Sequence, residues 1–117
     1  MDPDYLIISV IALNPRYEAA AQHSFSRQDF TCRVLSKYPD EILQQARIMP
    51  HDLYGDSHVF NRALAALVRR GVLKYWTDGS LSWDYPATPR EYFQMHIRPA
   101  LDDVELGKLE KFALSVW

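Results

Sequence analysis

The chain has 117 residues, nearly half of them apolar and a large share aromatic, which suits one domain with one core and argues against a disordered chain. Its formal net charge is only -2, against the strongly basic balance of a dedicated nucleic-acid binder. Cys32 is the single cysteine, so neither a disulfide framework nor a thiolate metal site can form within the chain, and a cytoplasmic location is the default.

In chain order, Asp2-Pro3 reads as an N-cap with proline at the first helical position, opening a helix through Tyr5, Leu6, Ile7, Ile8, Val10, Ile11 and Leu13. This stretch is apolar almost all round, so it needs cover from its own domain or from a second copy, and its β-branched residues leave a strand open. It is too short to span a bilayer and lacks the basic start of a signal peptide. Asn14-Pro15 repeats the cap signal for a short helix through Ala21. Ser26 with Asp29 then starts another helix with Phe30, Val34, Leu35 and Tyr38 on one face. After Pro39, residues 40 to 48 offer a further short helix, and Met49 to Gly55 reads as a loop.

Residues 56 to 85 carry the clearest pattern. Asp56 or Ser57 can cap a helix whose Phe60, Ala63, Leu64, Leu67 and Val68 fall on one side, and Gly71 supplies the left-handed residue that ends it. The other side carries His58, Asn61, Arg62, Ala65, Arg69 and Arg70. The period then drops to two, and Asp78-Gly79 suits a type I′ turn between strands 72 to 77 and 80 to 85. A two-residue loop pairs Thr77 with Ser80, Trp76 with Leu81, Lys74 with Trp83 and Val72 with Tyr85. Val72, Trp76, Leu81, Trp83 and Tyr85 then share a face, and Lys74 can make a cation-π contact with Trp83. Farther on, Thr88-Pro89-Arg90-Glu91 is a capping box for a helix carrying Tyr92, Phe93, His96 and Ile97. After Pro99 a last helix from about Ala100 turns Leu101, Val104, Leu109, Phe112 or Ala113, and Val116 inward, with Asp102 and Asp103 at its positive end. Trp117 is either packed or marks a chain that has been cut.

A helix closed by Arg69-Arg70-Gly71, then a strand, a tight turn and a returning strand, resembles the third helix and wing of the winged-helix superfamily. The resemblance implies a mainly helical α+β domain over 1 to 117, with a core of about 26 to 86, a two-stranded hairpin wing, and added N-terminal helices (3 to 24) and C-terminal helices (89 to 116). Those terminal helices either form a homodimer, as in many bacterial regulators of this superfamily, or complete a monomeric core. The long connection before the central helix departs from a simple helix-turn-helix.

No chemistry-bearing constellation is expected. The histidines and aspartates of the 51 to 58 segment match no zinc spacing, Cys32 reads as a small buried thiol, no serine sits in a glycine-flanked elbow, and Asp102 and Asp103 point apart. The reading is therefore a non-enzymatic protein without cofactor or metal. Its best positive case is double-stranded DNA binding, because residues 42 to 75 hold Arg47, Arg62, Arg69, Arg70 and Lys74 against Asp52 and Asp56, a local excess of three positive charges. Ser57 and His58 stand at the helix start, Asn61 can bond an adenine edge, Arg62 can reach guanine or phosphate, and Arg69, Arg70 and Lys74 complete the contact set of a transcriptional regulator. Asp78 and Asp84 put negative charge where a wing usually carries lysine or arginine. That departure favours the alternative, a protein-interaction module using Tyr75, Trp76, Trp83 and Tyr85.

Overall fold

The computed structural model describes residues 3–14, 24–37 and 58–117. The caps at Asp2, Asp56 and Ser57, the short helices expected after Asn14 and over 40 to 48, Tyr38, the loop from Met49 to Gly55 and most of the 51 to 58 segment lie outside them. The described residues form an α+β arrangement, mainly helical, with a small antiparallel sheet.

Helix α1, Pro3–Ala12, is the centre of the core. The helical alternative prevails over a strand because every residue from Leu6 to Ala12 is inaccessible to solvent, and a helix satisfies its own backbone when surrounded on all sides. Its cover comes from the same chain: the helices His58–Arg69 (α3), Pro89–His96 (α4) and Asp103–Val116 (α5) all pack on it. Ser9, fully buried, donates its hydroxyl to the carbonyl of Tyr5 at 2.6 Å and so leaves no unpaired group inside. Trp117 closes the chain onto its beginning. Its indole N-H donates to the Val10 carbonyl at 2.9 Å, one of the orphan acceptors at the α1 terminus, and its ring lies 5.5 Å from those of both Phe25 and Phe30.

Helix α2, Arg27–Lys37, starts where Ser26 accepts the Asp29 N-H at 3.2 Å, and it buries Phe30, Val34 and Leu35. Cys32 on this helix is half-buried rather than fully enclosed. Helix α3 buries Phe60, Leu64 and Leu67 and half-buries Ala63 and Val68, as the spacing requires. It ends in a Schellman arrangement. Gly71, at φ 75, donates to Val68 and Val72 donates to Leu67, with Val72 buried beside the helix it follows. Thr88 caps α4 by accepting the Glu91 N-H, and Tyr92, Phe93 and Ile97 point inward while His96 is exposed against the Tyr92 ring. After a 3-10 turn at Arg98–Ala100, Asp102 and Glu105 complete a reciprocal capping box for α5. Val104, expected inside, is 68% exposed because it stands five residues before Leu109, which turns it about 140° around α5 from the buried side.

The sheet differs from expectation in two ways. It has a third strand: Phe25–Ser26 (β1) pairs with Ser80–Trp83 (β3), which also pairs with Leu73–Tyr75 (β2), giving the order β1-β3-β2. The hairpin register is also one residue away from the two-residue loop. Leu73 faces Trp83, Lys74 faces Ser82 and Tyr75 faces Leu81, while Gly79 donates to Trp76 and Trp76 donates to Ser80. The loop is thus Thr77 to Gly79, with Gly79 at φ 87. This three-residue form needs left-handed backbone at the glycine, whereas a type I′ turn needs it at Asp78 as well. The slip exchanges the faces of β2, so Leu73 enters the core instead of Lys74. Trp76 moves to the outer face, where its indole donates to Ser82 at 2.9 Å and Lys74 sits 4.0 Å above the ring. The cation-π partner of Lys74 is therefore Trp76 and not Trp83. Trp83 packs inward on Tyr92 and donates to the Ala87 carbonyl.

Truncation of Leu67 to alanine is expected to lower stability by about 2 to 5 kcal/mol in urea unfolding, against less than about 0.5 kcal/mol for Leu114→Ala on the exposed side of α5. A Cβ at Gly71 or Gly79 would meet no atom within 4 Å, so the cost of either alanine variant is conformational. Each should lose about 1 to 2 kcal/mol, and equal stability to the parent in the same assay would contradict the left-handed assignment.

Candidate nucleic-acid interface

The exposed side of α3 is set by what its other side buries. With Phe60, Leu64 and Leu67 committed to the core, His58, Arg62, Ala65 and Arg69 fall on one exposed stripe, at steps of four, three and four residues. The helix contains no acidic residue from end to end, so no carboxylate of its own offsets the charge of the stripe. Arg62 and Arg69 have no ion-pair or hydrogen-bond partner among the described residues, whereas the two other basic residues of the expected set are held by neighbours. Arg70 turns to the start of α1, where it bonds Asp4 at 3.1 Å with half its side chain still exposed, a pair worth at most about 1 kcal/mol. Lys74 lies on the outer face of the hairpin over Trp76. His58 is exposed at the helix start, and Ser57 lies outside the described residues.

Asn61 is half-buried beside the stripe, and its Oδ1 accepts from Arg27 Nη2 at 3.3 Å. Arg27 is the functional candidate that sequence reasoning missed. It arrives because β1 ends at Ser26 and the Arg27 N-H bonds the Gly79 carbonyl, which places the first turn of α2 against the hairpin tip. A two-residue strand has no readable period, so nothing in the sequence announces this approach.

Between α3, the first turn of α2 and the inner face of the hairpin lies an open groove of about 320 Å³. Leu64, Ala65, Val68 and Leu81 make its apolar part; Arg27, Asn61 and Arg69 its polar part; and Tyr75 stands at its side, half exposed. Among the described residues the groove lining contains no carboxylate. Its chemistry is that of a site for an anion with an apolar or planar portion.

The acidic tip has a structural role. Asp78 Oδ1 accepts from both the backbone N-H of Ser80, at 2.9 Å, and its hydroxyl, at 2.6 Å. The Ser80 hydroxyl and then its backbone N-H hold the Asp78 carboxyl below its ordinary pKa, since both favour the charged form. A depressed folded-state pKa adds stability above the unfolded value, lost as pH falls through the folded one. The Asp78 carboxyl carbon is expected to titrate by NMR at a lower pH than in an unfolded peptide, and Ser80→Ala should move that midpoint upward. An unchanged midpoint would show that the turn bonds do not persist in solution.

The described residues contain no helix long and apolar enough to cross a membrane and no group of three metal-ligating side chains. Comparison with family models, with curated proteins and with solved structures gives no match to this chain.

Proposed function

We propose that this protein binds double-stranded DNA through the exposed stripe of α3, with the hairpin alongside as a wing, and that it acts as a non-enzymatic transcriptional regulator of winged-helix type. The observation that carries this reading is the pair Arg62 and Arg69, exposed on one helix face without partners among the described residues, while Arg27 is brought to the same surface. A helix of 12 residues is about 18 Å long, and a major groove about 12 Å wide admits it side-on. The third strand supports the wing assignment, because pairing β1 to β3 ties the hairpin to the helical core and holds it at a fixed angle to α3. With Asn61 Oδ1 already accepting from Arg27, the two side chains act as one recognition unit. Arg70, committed to Asp4, contributes least of the set.

Fluorescence anisotropy with random-sequence duplex DNA tests the reading. Binding should weaken steeply with salt, and the Arg62→Ala, Arg69→Ala double variant should lower the slope of log affinity against log salt by about 2 while leaving unfolding unchanged. Undiminished affinity in the folded double variant would remove α3 as the contact helix. The second reading, a protein-interaction module, is favoured by Tyr75 and Trp76, exposed to 51% and 43% on the hairpin, and an aromatic interface would respond little to salt.

A further inference from the structure

The aromatic residues of the hairpin divide by whether they have partners. Trp83 and Tyr85 pack on Tyr92, and Trp76 bonds Ser82 beneath Lys74. Tyr75 has neither a ring partner nor a hydrogen bond among the described residues, and it is half exposed at the groove. The register explains its position. Opposite Leu81 on the inner face of the sheet, Tyr75 lies one step beyond Leu73 toward the tip, where the sheet has run past its cover.

The geometry points to the groove as a site for an unpaired nucleotide, its base stacked on Tyr75 and resting on Leu64, Val68 and Leu81, and its phosphates held by Arg27 and Arg69. Three features select this occupant. A tyrosine ring with a free face accepts any base, because every base has a π-face. Two guanidiniums flanking an apolar floor, with no carboxylate among the described lining residues, match the charge of a phosphodiester backbone. The size of the groove, about 320 Å³, suits one planar group and its charged tail rather than a longer segment. The protein would thus prefer DNA with a single-stranded overhang, gap or displaced base beside the duplex that α3 contacts. The inference rests on the nucleic-acid reading for its class of ligand, but single-strand binding can be measured without the duplex.

The test is anisotropy at low salt with a labelled short oligothymidylate, a blunt duplex, and the same duplex carrying an overhang. Tyr75→Ala is expected to weaken the single strand roughly fivefold or more and to erase the advantage of the overhang, with blunt-duplex affinity unchanged and Tyr75→Phe restoring most of the loss. Blunt-duplex binding without oligothymidylate binding overturns this inference and leaves the proposed function standing. Oligothymidylate binding that depends on Tyr75, without duplex binding, does the reverse. Equal loss on all three DNAs in Tyr75→Ala overturns the stacking assignment. An acidic peptide with an aromatic residue that binds through Tyr75, where oligothymidylate does not, reassigns the groove to a protein partner and overturns the inference.

Discussion

A helix with no polar side has to be enclosed, and α1 is enclosed by its own chain. Seven consecutive residues, Leu6 to Ala12, have no more than 1% of their surface exposed, so α3, α4 and α5 must converge on them from different directions. Enclosure of this kind dictates the outward face of α3, since the side of that helix that meets α1 cannot also meet a ligand. It also uses up α1 as a contact surface between copies of the chain. The outer face of α5, with Val104 and Leu114 exposed, stays accessible.

The second constraint is the sheet. A hairpin alone is marginal in water, and this one is held by a strand of only two residues and by Trp83 driven into the aromatic cluster with Tyr85 and Tyr92. The β1 strand also delivers Arg27 to Asn61. Packing and electrostatics are coupled here: the pairing that anchors the hairpin is the one that adds a guanidinium to the α3 surface.

The parts legible in the sequence were those written in local chemistry. Ser26 and Thr88 cap helices, Gly71 ends one, and the three-and-four spacing of Phe60, Leu64 and Leu67 marks a buried face, while Asp102 reads only as charge at a helix start near Ala100 and proves to be the cap of a helix from Asp103. The parts that were not legible depend on competition between distant segments. Both a two-residue and a three-residue loop fit Asp78-Gly79, and the choice falls to whichever puts Leu73 rather than Lys74 against the core. Val104 is a different case: five residues before Leu109, it falls off the three-and-four spacing of the buried side, and it faces water. Of the candidate site, the arginines of α3 were visible as charges, but only tertiary structure separates Arg62 and Arg69, left open, from Arg70, tied to Asp4.

The one-residue register carries the functional consequence furthest. In the alternative pairing Trp76 would have stood opposite Leu81 on the inner face, in the place Tyr75 takes, with Tyr75 turned outward. The observed loop reverses them: Trp76 covers the back of the sheet, its N-H satisfied by Ser82, and Tyr75 stands beside Arg27 and Arg69. The Asp78 carboxylate fixes that loop by binding Ser80 on the far side of the turn. The acidic residue at the tip is thereby part of the turn that sets the register and with it the place of Tyr75.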